Sequence, residues 1–260
     1  MNRMTDCGRC LLTVTLTLIC LAGCKSYLED DGDGWTNEVE NSQAQSAPVS
    51  DTKTDTKAET KADNASGTVK AADLIPLKER TFKIEYNEGR MKGKTVEVTV
   101  TKGEKGQWVE SAKDVRILNY GEVDGGIGLP REEDFDEGVI VTYDPAFILM
   151  PKELVAGKPF ESKTKMTVLN RGSGSKKAGG TCSYKVELVR QEKIQTPAGA
   201  FDAYLIRTTR DISLDLASVK VTVQTWHVPG KGMVASHVKQ TTAALGIFSS
   251  EKVEAWKLAK

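Results

Sequence analysis

Apolar and polar side chains alternate along most of the C-terminal two thirds of the chain. Residues 82–86 read FKIEY and residues 95–101 read TVEVTVT, each with an apolar side chain at every second position. This period returns side chains to one face of a β-strand, and clean alternation is typical of an antiparallel sheet with one wet face. Further strand candidates, separated by Gly, Pro, Asn or Asp, are QWVES, VRILNY, GVIVTY, KMTVL, CSYKVELVRQEKI, FDAYLIRTT, VKVTVQTWH and MVASHVKQ. The sequence therefore predicts a mainly β domain over residues 74–260.

One internal segment has the pattern of a helix. In YDPAFILMPKEL, Asp144 is a suitable N-cap, Pro145 suits the first helical position and Pro151 ends the helix. Its body, AFILM, is apolar all round, which is typical of a buried helix. We therefore expect a single curved antiparallel sheet or half-barrel around one short helix. The alternative is that FILM forms one more strand.

Two turn sequences favour a meander of consecutive strands. TPAG at 196–199 places Pro at i+1 and Gly at i+3, as type I turns prefer, and VPGK at 228–231 places Pro at i+1 and Gly at i+2, as type II turns require. Each sequence lies between two strand candidates. Both are therefore predicted to be hairpin turns.

Residues 141–240 resemble the TapB-like family of bacterial envelope proteins, whose function is unknown. Members show a Pro-Ala-Gly-x-Phe turn, then an aromatic strand that ends in a Pro-Gly-x-Gly turn. The resemblance implies a mainly β extracytoplasmic domain and carries over no catalytic residue. The matching positions here are Pro197, Ala198, Gly199, Phe201, Trp226, Pro229, Gly230 and Gly232.

The first 23 residues resemble a bacterial lipoprotein signal peptide. Arg3 and Arg9 precede the uncharged run LLTVTLTLICLAG at 11–23, which is shorter than the roughly 20 apolar residues of a spanning helix. The run leads into LAGC at 21–24, which resembles a lipobox. The resemblance implies cleavage before Cys24, diacylglycerol on its sulfur and acylation of the new amine. Two or three acyl chains would give stable membrane attachment.

Two alternatives to this signal are an uncleaved anchor and a signal without lipid. The residue after Cys24 is Lys25 rather than Asp. By resemblance to enterobacterial sorting, this favours a lipoprotein of the outer membrane that faces the periplasm.

The cysteines indicate no disulfide framework. The chain contains Cys7, Cys10, Cys20, Cys24 and Cys182. Cleavage would remove the first three and lipid would cap Cys24, so Cys182 would be alone in an oxidising compartment. We expect it to be a small buried apolar side chain, with a reactive thiol as the alternative.

A polar segment separates the N-terminus from the β domain. Residues 41–70 contain no aromatic residue, and valine is the only branched aliphatic one. Such a composition buries too little apolar surface to offset its ordering entropy, so residues 41–73 are predicted to be a disordered linker. The chain carries 36 basic and 36 acidic residues and no basic block, which argues against a nucleic-acid partner.

The stretch LEDDGDGWTNEVE at 28–40 resembles an EF-hand calcium loop. Only one register places Gly34 at position 6, where the loop turns sharply. The Glu at position 1 and Thr36 at position 8 depart from the pattern, and the alternative is an acidic start to the linker. In this register residues 24–40 form a lipidated N-terminus with a weak Ca²⁺ site. The ligands would be the side chains of Glu29, Asp31, Asp33, Asn37 and Glu40 and the carbonyl of Trp35.

Other polar motifs favour ordinary structural roles. His227 and His237 flank the VPGKG turn, which would let them face each other. They lack the acidic or thiolate partners of a zinc site and are predicted to be structural or surface imidazoles. REEDFDE at 131–137 is predicted to be a solvated acidic loop. RGSGSKKAGG at 171–180 is predicted to be a flexible hairpin loop. GRMKGKT at 89–95 precedes a strand rather than a helix, which argues against a phosphate loop.

Three functional hypotheses follow. The first is a lipid-anchored envelope protein whose β domain is a non-catalytic binding or scaffolding module for an unknown envelope protein. The second is a periplasmic carrier of a lipid or other hydrophobic ligand, held in a cavity of the curved sheet. The third is an uncharacterised hydrolase, which the lack of a nucleophile–base pair or metal constellation in the sequence disfavours.

Overall fold

The computed structural model describes residues 67–215, 217–244 and 248–260. Strands make up most of this part of the chain, with one short α-helix and a 3₁₀ turn at Glu104–Gly106. The elements are β1 (Thr68–Lys70), α1 (Ala71–Leu74), β2 (Arg80–Glu88), β3 (Thr95–Lys102), β4 (Trp108–Ala112), β5 (Arg116–Val123), β6 (Gly126–Asp134), β7 (Val139–Pro151), β8 (Glu153–Val155), β9 (Phe160–Asn170), β10 (Lys176–Thr196), β11 (Gly199–Leu214), β12 (Ala217–Val228), β13 (Gly232–Ala244) and β14 (Phe248–Leu258).

Twelve strands form a closed antiparallel barrel. Neighbours in the chain pair from β2 to β14, except that β7 pairs with β9 and β8 pairs with β1 in a separate two-stranded sheet. β14 then pairs with β2, which places Leu258 beside Ile84. The predicted mainly β, antiparallel class is confirmed, but the single curved sheet or half-barrel is wrong. Closure pairs the first barrel strand with the last and so removes the open sheet edges.

The predicted helix at 144–151 is also wrong. The segment belongs to β7, which pairs with β6 as far as Gly126 beside Pro151. Phe147, Ile148 and Met150 are all buried. Both faces of this strand are therefore covered, and a strand buried on both faces loses its alternation and resembles a buried helix in sequence. The alternative interpretation of FILM as a strand is confirmed.

The α-helix of the described chain lies elsewhere, at the end of the barrel where β2 begins. Residues 68–73, which the sequence assigns to the linker, form β1 and most of α1. The Ala71 amide donates to the Lys152 carbonyl at 3.1 Å, and the Gly230 amide donates to the Asp73 carbonyl at 2.8 Å. Leu74 is fully buried in the main core. Helix α1 is therefore fastened to both sides of the barrel rim.

The two predicted turns join strands as expected. TPAG connects β10 to β11, and VPGK connects β12 to β13 with the Lys231 amide donating to the Val228 carbonyl at 3.0 Å. Gly230 has a positive φ of 71°, which a type II turn requires at that position. GRMKGKT likewise connects β2 to β3, and β3 follows it as predicted. The loop predicted at 171–180 is shorter, because β10 begins at residue 176.

The hairpin of β10 and β11 extends beyond the barrel wall. β10 pairs with β9 only as far as Val186, and β11 pairs with β12 only from Tyr204, yet the two strands stay paired to their turn. At the tip, the Ala198 amide donates to the Leu258 carbonyl at 3.2 Å. This arm, residues 187–203, carries Ile194 and Phe201, which pack against a small separate core of Ala203, Val234 and Leu258.

Among the residues that the structure describes, no helix is long and apolar enough to cross a bilayer.

Candidate functional site: a cavity inside the barrel

A cavity of about 110 Å³ lies inside the barrel beneath α1. Eight of its fifteen lining residues are apolar and the others are polar or charged. The apolar residues are Leu74, Ile75, Phe82, Leu118, Phe147, Leu149, Val223 and Met233. The polar ones are Arg80, Glu110, Tyr120, Thr208, Arg210, Thr225 and His227. An apolar wall with a few polar groups is typical of small-molecule sites.

His227 connects the cavity wall to α1. Its Nδ1 is 3.1 Å from the Leu74 carbonyl oxygen, and its Nε2 is 3.0 Å from the Thr225 hydroxyl. A carbonyl only accepts, so Nδ1 carries the proton and Nε2 accepts from Thr225. Burial lowers the pKa of His227 to about 4. The hydrogen bond with Leu74 raises this pKa in part, and the positive charge of Arg80 lowers it further. The ring is therefore neutral at pH 7 and serves to hold the end of α1.

Two guanidinium groups line the cavity. Arg210 lies over the Phe147 ring, with 4.3 Å from Cζ to the ring centroid, and Arg80 lies 5.3 Å from the centroid of Phe82. Arg80 also donates from Nη1 to the Lys231 carbonyl at 2.7 Å. The Nε atoms of both arginines are buried without a hydrogen-bond partner in the described chain. Buried donors without acceptors are uncommon in folded proteins, and they are groups that an acceptor would stabilise.

The carboxylate that lines the cavity is already engaged elsewhere. Glu110 Oε1 is 3.5 Å from Nη2 of Arg116, and both side chains are buried. The lining thus carries two cationic groups and one carboxylate that is shared with a third cation. The electrostatic balance of the cavity is positive.

A layer of buried acids surrounds Arg116 inside the barrel. Glu132, Asp134 and Glu254 are all buried, and the Tyr143 hydroxyl donates to Glu132. Burial raises the pKa of Glu254 to about 7, although Arg116 and Lys252 lower it. Burial raises the pKa of Tyr86 to about 12. Arg116 compensates several carboxylates at once, so it is the central charge of this layer.

The prediction of a solvated acidic loop at 131–137 is wrong for residues 131–134, which belong to β6. Glu132 and Asp134 belong to β6 and point into the barrel, where they are buried. The pairing of β6 with β7 shifts between Leu129 and Arg131. This bulge changes which side chains face inward, so the strand brings acids rather than apolar groups into the interior.

The two histidines do not form one site. His227 lines the cavity, whereas His237 pairs with Gln224 in the sheet and lies 3.7 Å from Glu88, half exposed. Both are imidazoles in structural or surface positions, as predicted. The suggestion that they face each other across the turn is wrong, because the register places His237 beside Gln224 and Met233 beside His227.

Cys182 is buried in the main core, as predicted. Burial raises the pKa of its thiol to about 11, so the thiol is protonated at neutral pH and a poor nucleophile. No cluster of three or more His, Cys, Asp or Glu side chains suited to a metal occurs in the described ranges.

The remaining predicted site residues lie outside the described residues. These are the lipidation site Cys24 and the calcium ligands Glu29, Asp31, Asp33, Trp35, Asn37 and Glu40. Arg80 and Arg210, which line the cavity, were not among the predicted site residues. A signal for both exists, because Arg80 is in phase with Ile84 and Tyr86, and Arg210 is in phase with Ile212. A charged residue at an inward position of an alternating strand marks a buried polar site.

No protein-family model and no curated protein matches the chain. The resemblance of residues 141–240 to the TapB-like family therefore stays a prediction. Two solved structures are similar to this chain. The hypothetical lipoprotein YmcC from Escherichia coli is 11% identical with a TM-score of 0.39, and the match covers 73% of this chain and 93% of that chain. A protein of Parabacteroides distasonis described as a lipoprotein is 13% identical with a TM-score of 0.36, covering 72% and 96% respectively. At these values neither likeness carries an argument about this chain.

Proposed function

We propose that this chain is a lipid-anchored envelope protein whose barrel is a non-catalytic binding module, with the interior cavity as its ligand site. The observation that carries the proposal is the cavity lining. It combines an apolar wall with Arg80 and Arg210, two guanidiniums that have buried unpartnered donors. A solid barrel core would have no need of either feature.

The cavity volume limits the ligand. Pockets for drug-sized molecules measure about 300–1,000 Å³, whereas this cavity measures about 110 Å³. The closed barrel therefore has room for a small molecule and not for a whole lipid. Of the sequence hypotheses, a binding module gains support, and a lipid carrier would need a larger opening of the barrel.

The side chains around the cavity support a binding role over a catalytic one. Both ring nitrogens of His227 are engaged, with Leu74 and Thr225, and the ring is neutral. Glu110 is paired with Arg116. Neither group is free to act as a general base on a ligand.

The ligand site is tested by native mass spectrometry of protein purified from its own membranes. A small molecule should co-purify with the barrel. Thr208→Leu fills part of the cavity and should remove the molecule, whereas Thr209→Leu, one residue along the strand on the other face, should retain it. An equal amount of bound molecule in both variants would exclude the cavity as the site.

The lipid anchor is proposed from LAGC and is tested separately. Cys24→Ser should release the protein from membranes or leave an unprocessed precursor. Unchanged size together with unchanged lipid labelling would refute the anchor.

We also propose a weak calcium site at residues 29–40. Calorimetric titration of the mature chain should detect Ca²⁺ binding near roughly 1 mM, as in extracellular modules. Glu40→Gln should weaken it most, because Glu40 is the bidentate ligand of the loop register. Equal heats with sodium at matched ionic strength would identify the stretch as an acidic linker.

A further inference from the structure

The barrel wall has a gap at the end of β14. β14 pairs with β13 only from Ala235 onward and with β2 only as far as Ile84. β13 begins three residues earlier, at Gly232, and β2 begins at Arg80. No strand ladder therefore joins these first residues of β13 and β2 to each other. β7 and β9 also pair over only part of their lengths, at residues 139–144 and 165–170, so this gap is one of the places where a ladder is incomplete.

Side chains close this gap. Arg80, Phe82 and Met233 line the interior cavity and also an outer depression of about 360 Å³ on the barrel surface. Arg80 reaches across to the Lys231 carbonyl, and Lys78 Nζ donates to the Gly230 carbonyl at 3.2 Å. Arg80, Phe82 and Met233 are only partly buried, and a change of side-chain rotamer breaks no strand ladder. The gap can therefore open without the separation of two paired strands.

The outer depression carries positive charge. Its charged lining residues are Lys78, Arg80 and Lys231, and none of its lining residues is acidic. Arg80 lines both the depression and the interior cavity, and inside the cavity the guanidinium of Arg210 lies over the Phe147 ring. A negatively charged molecule would therefore meet favourable potential from the surface to the cavity.

We propose that this gap is the entrance to the cavity and that the ligand is a small monocarboxylate with a short apolar body. The inference rests on the proposed function. The carboxylate accepts hydrogen bonds from the guanidiniums of Arg80 and Arg210, and the apolar body packs on the wall that includes Phe147 and Leu149. Planar guanidiniums suit carboxylates because they donate in pairs.

The volume and the lining decide between anions. An apolar cavity of about 150 Å³ in another protein holds benzene, so about 110 Å³ holds a body of about four carbon atoms. An inorganic phosphate would leave the eight apolar lining residues without a partner. A short alkanoate would pair its carboxylate with the two guanidiniums and its alkyl chain with the apolar lining residues.

Equilibrium binding tests the ligand class. The full mature chain in detergent is titrated with 4,4,4-trifluorobutyrate, its neutral amide and inorganic phosphate, followed by ¹⁹F or ³¹P NMR. The carboxylate should bind at least tenfold tighter than the amide, and phosphate should not bind. Arg210→Met should weaken the carboxylate at least tenfold, since a hydrogen bond to a charged group is lost. Arg207→Met, whose side chain pairs with Glu187 instead of lining the cavity, should leave the affinity unchanged. Circular dichroism confirms that each variant is folded.

Association kinetics test the entrance. Lys78→Gln with Lys231→Gln removes two charges from the outer depression and should slow association of the carboxylate at least threefold. The matched control is Lys70→Gln with Lys152→Gln, in a separate depression of about 370 Å³ at the other flank of α1. The control should leave the rate unchanged. Slowing by the control pair alone, or by neither pair, would overturn the assignment of the entrance.

The outcomes separate this inference from the proposed function. Equal affinity for carboxylate and amide, or binding of phosphate alone, overturns the ligand class and leaves a binding cavity. If no probe binds but a small molecule still co-purifies, the ligand class is again overturned and the binding cavity remains. Failure of every probe without any co-purifying molecule overturns both the ligand class and the binding module.

Discussion

His227 donates its Nδ1 proton to the carbonyl oxygen of Leu74, 3.1 Å away, and so ties the last residue of α1 to β12. The bond crosses from the one α-helix of the described chain to the barrel wall beside the cavity. It depends on a neutral imidazole that also accepts from Thr225. The closure of the cavity by α1 is therefore coupled to the protonation of one buried histidine.

Acid should destabilise the fold through His227. Its pKa is about 4 in the folded protein and about 6.5 when unfolded, so the unfolded chain binds the proton more readily. Above pH 6.5 this histidine does not change the free energy of unfolding. As the pH falls from 6.5 towards 4, the free energy of unfolding decreases by at most about 3 kcal/mol. His227→Asn keeps a donor near Nδ1 without titrating and should flatten this slope in urea unfolding from pH 7.5 to 4.5. His237→Asn is the control, and an identical slope in wild type and His227→Asn would refute the coupling.

Glu254→Gln should stabilise the protein in base but not in acid. Burial raises the pKa of Glu254 to about 7, from about 4.5 when unfolded, so ionisation weakens the fold. The cost is absent below pH 4.5, grows as the pH rises to 7 and is complete above it. The variant should gain about 3 kcal/mol in free energy of unfolding at pH 8 and little at pH 4.5. Glu251→Gln, an exposed residue of the same strand paired with Lys239 at 3.0 Å, should change stability by less than about 1 kcal/mol.

Arg116→Met should cost about 3–5 kcal/mol, because it leaves buried carboxylates without their cation. One of them is Glu110, whose Oε1 is 3.5 Å from Arg116 Nη2. Urea unfolding of Arg116→Met, Glu110→Gln and the double variant gives the coupling energy between them. The double variant should recover part of the loss. Additive losses would show that Arg116 acts mainly through the other acids of the layer.

Gly180→Ala should disturb the pairing of β10 with β11. A Cβ at Gly180 would lie 2.0 Å from the Ser213 carbonyl oxygen, which is too close for any contact. The strands would have to move apart, which should lower the free energy of unfolding by about 1–3 kcal/mol or more, as extra atoms in a well-packed core do. Gly172→Ala in the β9–β10 turn meets only Asn170 Oδ1, at 3.5 Å, and should be nearly neutral. Thermal unfolding of both variants would detect the difference, and equal midpoints would contradict the close approach.

The sequence predicted the strand-rich part of the fold because its signals are local. Alternation over β2 and β3 depends only on which side chains suit a half-buried strand, and the Pro-Gly turn at 228–231 depends on backbone dihedral preferences. The burial of Cys182 likewise follows from its position in an alternating strand. None of these features needs knowledge of a distant residue.

Tertiary structure alone decided the rest. Closure of the barrel requires Leu258 to pair with Ile84 from the far end of the domain, and strand patterns carry no information about such a partner. The interior position of Glu132 depends on a bulge after Leu129, which arises from pairing with β7. The gap beside Arg80 exists because β14 ends opposite Ile84, whereas β2 begins four residues earlier at Arg80 and β13 begins at Gly232. The sequence by itself determined most of the strands, namely those with one wet face, whereas long-range pairing decided which side chains share the interior and therefore where a ligand site lies.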